Sequence, residues 1–358
     1  MVTRYSIGMA NTGSRNGAWG GFSAAEWWRL SALYGFVLAL HLSGWGLFLY
    51  YSMRYPALAG LGLTAYLFGL RHAFDADHIA AVDDTVRLLL QKGRRPLGVG
   101  FFFSLGHSTI VMGMVAATIF AAALVRRELP SLQALGGVIG ASVSGAFLWL
   151  IGLLNLAVLL GLLRQWRAAR RGGHGHAHLH DLLSRRGFLN RWFGGWAQRV
   201  VNHSWQMFPL GLLFGLGFDT ASEIALLATA AGAAATGVPA LAVFSLPLLF
   251  AAGMSLLDTS DGVLMVRVYH WALIHPRRKL FYNIVVTALS VAVALVIGSI
   301  ELLQVLGSTL HLPGRASALL ARLDFGTLGY VVVALFVLTW LVSAAVWRFG
   351  RFEQRTLD

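Results

Sequence analysis

Apolar residues in this chain run in eight blocks, each separated from the next by a polar and mostly basic segment. The blocks cover residues 30–51, 57–86, 97–125, 134–163, 207–235, 239–268, 280–306 and 326–348. About 20 apolar residues carry a helix across the roughly 30 Å hydrocarbon layer of a bilayer, so each block predicts one membrane-spanning helix. Several have length to spare for tilting or kinking. The pattern therefore predicts an all-α polytopic membrane protein of about eight transmembrane helices. The longest polar interruption, residues 164–206, splits it into two four-helix halves, 30–163 and 207–348, between an N-terminal segment 1–29 and a tail 349–358.

Composition agrees with the pattern: 57% of the 358 residues are hydrophobic and 12% charged. The net charge of +13 raises the question of nucleic acid, but the basic residues lie in short segments between apolar blocks and form no separate basic domain. They set topology instead. With eight crossings, one face holds 22 Lys and Arg residues, eight of them in 164–206, against five on the other (Arg54, Arg126, Arg127, Arg315 and Arg322). Both termini and the long central loop are thus expected in the cytoplasm, and no nucleic-acid partner is expected. Trp19, Trp27 and Trp28 read as interfacial anchors, and residues 1–28 lack the apolar stretch of a cleaved signal peptide. The absence of cysteine removes disulfides, thiolate metal sites and thiol redox chemistry.

Against this apolar background, Asp75, Asp77, Asp83, Asp84, Asp219, Glu223, Asp258 and Asp261 all fall inside predicted spans. A carboxylate at membrane depth costs roughly 2.5–3.5 kcal/mol even on the mild insertion scale, so it must face the bundle interior and find a partner. The second span carries Arg71-His72-Ala73-Phe74-Asp75-Ala76-Asp77-His78-Ile79. On a straight helix His72, Asp75 and His78 form one stripe and Asp77 falls off it. Either Asp77 pairs with another span, or the helix unwinds locally so that both histidines and both acids turn inward.

The third span carries Ser104-Leu105-Gly106-His107-Ser108-Thr109, with Ser104 and His107 on one helical face. His107 lies about ten residues into its span, roughly 15 Å from that end, near the depth expected of His72. In the fifth span Asp219 and Glu223 stand four apart, a repulsive spacing unless a cation or a proton lies between them. The sixth repeats Ser255, Asp258 and Asp261 at steps of three. Imidazoles and carboxylates converging at membrane depth point to a site or path for a divalent cation. The central loop adds His174, His176, His178 and His180 at alternate positions on a glycine-rich stretch, a pattern that can chelate nickel, cobalt, copper or zinc.

These four motifs resemble, in order and in separate spans, those of the nickel/cobalt transporter (NiCoT) family. His72, Asp77 and His78 meet its His-x4-Asp-His signature, and the Gly-His-Ser-Thr, Leu-Gly-Phe-Asp-Thr-x-x-Glu-Ile and Gly-Met-x-x-x-Asp-Thr-x-Asp blocks correspond to the others. The resemblance covers roughly residues 30–350. It implies high-affinity uptake of Ni²⁺ or Co²⁺ across the cytoplasmic membrane of a prokaryote, with no cofactor and the metal as transported substrate. On this reading His72, His78 and His107 ligate the ion together with Asp75 or Asp77, and His41 in the first span adds to the site. Arg71, Asp83, Asp84, Ser104, Ser108, Asp219, Glu223, Asp258 and Asp261 line the path or support the imidazoles. The histidine-rich loop looks more like that of related exporters and leaves export as the alternative direction.

Two further classes are weighed. A zinc protease would carry His-Glu-x-x-His, which is absent, and an iron oxygenase would carry several histidine boxes outside the spans. No Gly-x4-Gly-Lys-Ser/Thr loop is present, so a secondary carrier without an ATPase subunit is expected.

Overall fold

A computed structural model describes residues 22–120, 122–170, 201–217, 221–272, 276–310, 323 and 325–349. Ten α-helices account for nearly all of them: α1 Ala24–Ser52, α2 Leu61–His72, α3 Ala76–Gln91, α4 Val99–Phe120, α5 Ala122–Arg170, α6 Met207–Phe214, α7 Ala221–Ala235, α8 Ala240–Ala272, α9 Pro276–Thr309 and α10 Phe325–Phe349. Short 3₁₀ turns at Pro56–Leu58 and Ser204–Gln206 precede α2 and α6. Among the described residues there is no strand.

Five of these helices hold stretches long and apolar enough to cross a membrane: Ala24–Ser52, Val99–Ile119, Leu135–Arg164, Ala240–Val268 and Ile284–Thr309. Two expected spans are not single helices. The second divides into α2 and α3, and the fifth into α6 and α7. The expected link between spans three and four is instead helical and forms the first turns of α5, which at 1.5 Å per residue runs to about 73 Å.

Local chemistry sets several of these boundaries. Ser23 and Glu26 form a reciprocal capping box at the start of α1. Glu26 also accepts from Arg95 in the α3–α4 link, with both of its oxygens 2.8 Å from the same guanidinium nitrogen. In the same link Lys92 Nζ donates to the Val201 carbonyl at 2.6 Å and to Asn202 Oδ1 at 3.1 Å. Gly60 (φ 78°) opens α2 and Gly93 (φ 73°) ends α3, both in the left-handed region that glycine enters without penalty.

Glycines bring the central helices into backbone contact. A Cβ on Gly69 of α2 would overlap the Phe250 carbonyl of α8, and one on Gly253 of α8 would stand 2.7 Å from the Tyr66 carbonyl of α2. The same reciprocal device joins α6 to α4: a Cβ on Gly211 would overlap the Phe103 carbonyl, and one on Gly106 the Phe208 carbonyl. Each broken span thus leans its first half on an unbroken helix with no side chain between them.

Buried side chains form two hydrophobic clusters. One includes Ala76, Ile79, Phe103, Met207 and Phe214, and the other Ala73, Leu246, Phe250 and Met254. The segment joining α2 to α3 lies where they meet, since Ala73 belongs to one cluster and Ala76 to the other.

Candidate metal-transport site

The break in the second span is short. Phe74 N–H donates to Arg71 O and Asp75 N–H to His72 O, so α2 tightens to three-residue spacing before it stops. Asp75 then takes an extended conformation (φ −65°, ψ 143°) at the N-cap of α3. An aspartate there ordinarily caps the helix, but this side chain makes no capping bond, and its Oδ2 lies 3.1 Å from Nδ1 of His72. The turn folds His72, the last residue of α2, and His78, in the first turns of α3, onto each other with ring centroids 4.6 Å apart.

His107 of α4 completes a triad. Its ring lies 4.7 Å from that of His72 and 4.8 Å from that of His78, and one nitrogen from each residue falls within 4.8 Å of the other two. All three are buried at 1–3% exposure, with Phe103 beside His78 and Phe250 beside His72.

Hydrogen bonding fixes how two of the imidazoles point. A carboxylate accepts and an imidazole N–H donates, so with Asp258 ionised a hydrogen sits on Nδ1 of His78, 3.2 Å from Asp258 Oδ2, while Asp75 Oδ2 stands 3.1 Å from His72 Nδ1 as a charge-pair contact. Ser222 Oγ also lies 3.2 Å from His72 Nδ1. His78 Nε2 makes no hydrogen bond and keeps its lone pair. His107 Nε2 donates to Glu223 Oε1 at 2.7 Å and lies 3.0 Å from His72 Nε2. Once His107 Nε2 gives up that hydrogen, imidazole–metal bonds of about 2.1 Å at right angles put two nitrogens about 3 Å apart, the His72–His107 spacing. Glu223 Oε1 stands 3.9 Å from His72 Nε2, placing a carboxylate at the edge of the same cluster. His78, turned by the Asp258 carboxylate on its far nitrogen, shows the arrangement by which proteins orient histidines toward a metal.

The other expected site residues are distributed as follows. Asp75 lies behind His72, on the nitrogen facing away from the triad. Asp77 is half-buried in the first turn of α3, with an enclosed Oδ1 that makes no hydrogen bond. His41 is not drawn in: Nδ1 bonds the Val37 carbonyl at 2.8 Å and Nε2 the Tyr66 hydroxyl at 3.2 Å, so both nitrogens serve α1–α2 packing. Ser104 bonds the Phe101 carbonyl and Ser255, tying α4 to α8, while Ser108 is buried beside it with its hydroxyl unbonded. Asp83 accepts from Ser290 of α9 at 2.6 Å and Asp84 from Asn155 of α5 at 2.6 Å. Asp261 is half-buried one turn beyond Asp258 and within electrostatic reach of it and of Asp83. Arg71 and Asp75 both stand against Gly326 of α10. Asp219, His174, His176, His178 and His180 lie outside the described residues.

Residues not singled out from sequence also matter here. Ser222 supports His72, Asn155 and Ser290 serve the α3 acids, and Glu301 accepts from Ser144 at 2.9 Å. Ser222 lies within the fifth-span motif, and Glu301 was one more acid in an apolar block; Asn155 and Ser290 carry no local signal.

A buried imidazole cluster among helices able to span a bilayer defines a class of membrane metal permease, and comparison with known sequences places the chain within it. It belongs to the NicO family, described as high-affinity nickel-transport protein, which matches residues 58–346. The family is one of transporters and not of enzymes. The nickel transporter NicT of Mycobacterium tuberculosis is 50% identical over 345 residues, covering 93% of this chain and 92% of its own length. NixA of Staphylococcus aureus, also named a nickel transporter, is 49% identical over 319 residues, 89% of this chain and 94% of its own. The cobalt transport protein NhlF of Rhodococcus rhodochrous is 44% identical over 334 residues, 90% and 93% respectively. No solved structure matches the chain.

Proposed function

We propose that this protein is a single-chain secondary transporter that imports Ni²⁺ or Co²⁺ across the prokaryotic cytoplasmic membrane. The observation that carries the reading is the buried His72–His78–His107 cluster, in which Asp258 engages Nδ1 of His78 and leaves its Nε2 unbonded, with Asp75 beside Nδ1 of His72. Imidazole with one carboxylate suits nickel, cobalt or zinc, and oxygen-seeking magnesium or calcium poorly. The names of the relatives then select nickel and cobalt.

The reading includes eight crossings: the five long helices, the broken pairs α2/α3 and α6/α7, and α10. The excess of Lys and Arg on one face puts both termini in the cytoplasm. Glu223 is the carboxylate placed to join the three imidazoles, while Asp75 and Asp258 support them. For a doubly charged ion, a potential of 100 mV supplies about 4.6 kcal/mol, enough for accumulation of more than about a thousandfold without ATP.

The test is uptake of trace radioactive nickel, and separately cobalt, into cells carrying the wild-type chain or His72→Ala, with millimolar magnesium present. Accumulation that needs His72 and survives magnesium supports the reading and ranks the two ions. Tracer leaving preloaded cells without accumulation would reverse the direction and bring the histidine-rich segment 174–180 into an exporter.

A further inference from the structure

The break that brings His72 and His78 together is covered by the first turn of α10, in a part of the chain that carries no metal-ligating residue. Gly326, Gly329 and Tyr330 stand at i, i+3 and i+4, on one helical face. A Cβ on Gly329 would overlap the carbonyl oxygen of Phe74 and lie 3.2 Å from the amide nitrogen of Ala76. A Cβ on Gly326 would stand 3.0 Å from the Arg71 guanidinium carbon and 3.1 Å from Asp75 Oδ1. Tyr330 closes the contact, its ring 5.5 Å from that of Phe74. Both glycines are buried, and the residues they touch, Arg71, Phe74, Asp75 and Ala76, lie in or directly flank the unwound segment 73–75.

An unwound turn between two helices in an apolar core has little to hold it. Phe74 and Asp75 donate only to carbonyls three residues back, and the flanking helices regain regular four-residue bonds there by rejoining. Here the aspartate that would cap α3 is turned to His72 instead. The glycine hydrogen in place of a side chain at 329 lets the α10 backbone rest directly on the Phe74 carbonyl, a contact of the weak Cα–H···O kind. We infer that Gly329, with Gly326, is a positioning residue of the metal site: by docking α10 on the Phe74–Asp75 turn it fixes the distance between His72 and His78, and hence the affinity and coordination geometry of the bound ion.

The inference rests on the proposed metal site. It is tested on the purified full-length chain with Co²⁺ alone as probe, reading affinity by calorimetry and geometry from the visible absorption of the bound ion. Gly329→Ala is expected to weaken binding at least tenfold and to change the cobalt spectrum, while the protein elutes and melts as a folded species. Gly326→Ala, whose new methyl meets the movable end of Arg71, is expected to weaken binding less. Gly113→Ala, the same change at an exposed α4 position with nothing within 4 Å, is expected to leave affinity and spectrum as in the wild type.

Wild-type affinity and spectrum in folded Gly329→Ala would overturn the inference. Should that variant not fold, Gly326→Ala decides: a severalfold loss with an altered spectrum supports positioning, and an unchanged spectrum and affinity refute it. A wild-type chain that binds no Co²⁺ would instead refute the metal site on which the inference rests.

Discussion

Helix α3 carries buried acidic chemistry in two places and uses it in opposite ways. At its start, His78 and the neighbouring His72 and His107 meet Asp258, Asp75 and Glu223, so that carboxylates face imidazoles and lone pairs remain. Two turns on, Asp83 accepts from Ser290 and Asp84 from Asn155, with the Arg87 charge acting on Asp84, and Glu301 of α9 accepts from Ser144. The first arrangement leaves nitrogen donors for a cation. The second ties α3 to α5 and α9. Burial alone does not separate them, since all these acids are at most 4% exposed; the partner does.

The comparison breaks most directly at the triad. His78→Ala or His107→Ala removes a nitrogen from a cluster of three, and uptake is expected to fall more than about a hundredfold, beyond the 10–100-fold that loss of an outer partner usually costs. Tracer uptake normalised to protein in the membrane measures it. Glu223→Gln keeps the shape and removes the charge 2.7 Å from His107 and 3.9 Å from His72. A loss of about 10–100-fold in nickel affinity is expected by calorimetry on the purified chain. Asp258→Asn leaves His78 in place with a weaker orienting bond, so affinity is expected to drop about tenfold.

The opposite end of α3 should behave differently. Ser290→Ala takes the donor from buried Asp83 and is expected to cost about 1–3 kcal/mol of stability, read as a lower melting temperature, with nickel affinity within twofold of wild type. His41→Gln, which preserves a side chain able to bond Tyr66, is expected to change uptake least. A large affinity loss in either variant would erase the distinction drawn here.

Much of this was legible in the sequence because bilayer thickness imposes a coarse, countable pattern. Helix fills most of each expected stretch among the described residues, with breaks in the second and fifth, and the odd placement of Asp77 on a straight helix already offered unwinding as one of two outcomes. The second break, between Phe214 and Ala221, was missed although Gly215 and Gly217 flank its start. His72, His78 and His107 were readable as a set because the first two share one polar motif within an apolar span and His107 sits in another. Which acid serves which imidazole was not, since His78 and Asp258 are 180 residues apart and Asp83 and Ser290 are 207 apart. His41 entered only through the family resemblance, and its bonds to Val37 and Tyr66 show that both nitrogens are engaged in packing. Glycines at 326 and 329 are invisible in sequence, where small residues three apart are common in membrane helices.

The central claim is that three imidazoles, oriented by Asp75 and Asp258, bind the transported ion. X-ray absorption at the nickel edge of the purified chain, loaded with one equivalent of Ni²⁺, tests it most directly. The account predicts scattering from three imidazoles with nitrogen at about 2.1 Å, one imidazole being lost in each of His72→Ala, His78→Ala and His107→Ala. A nickel shell made of oxygen alone, unchanged in these variants, would contradict it.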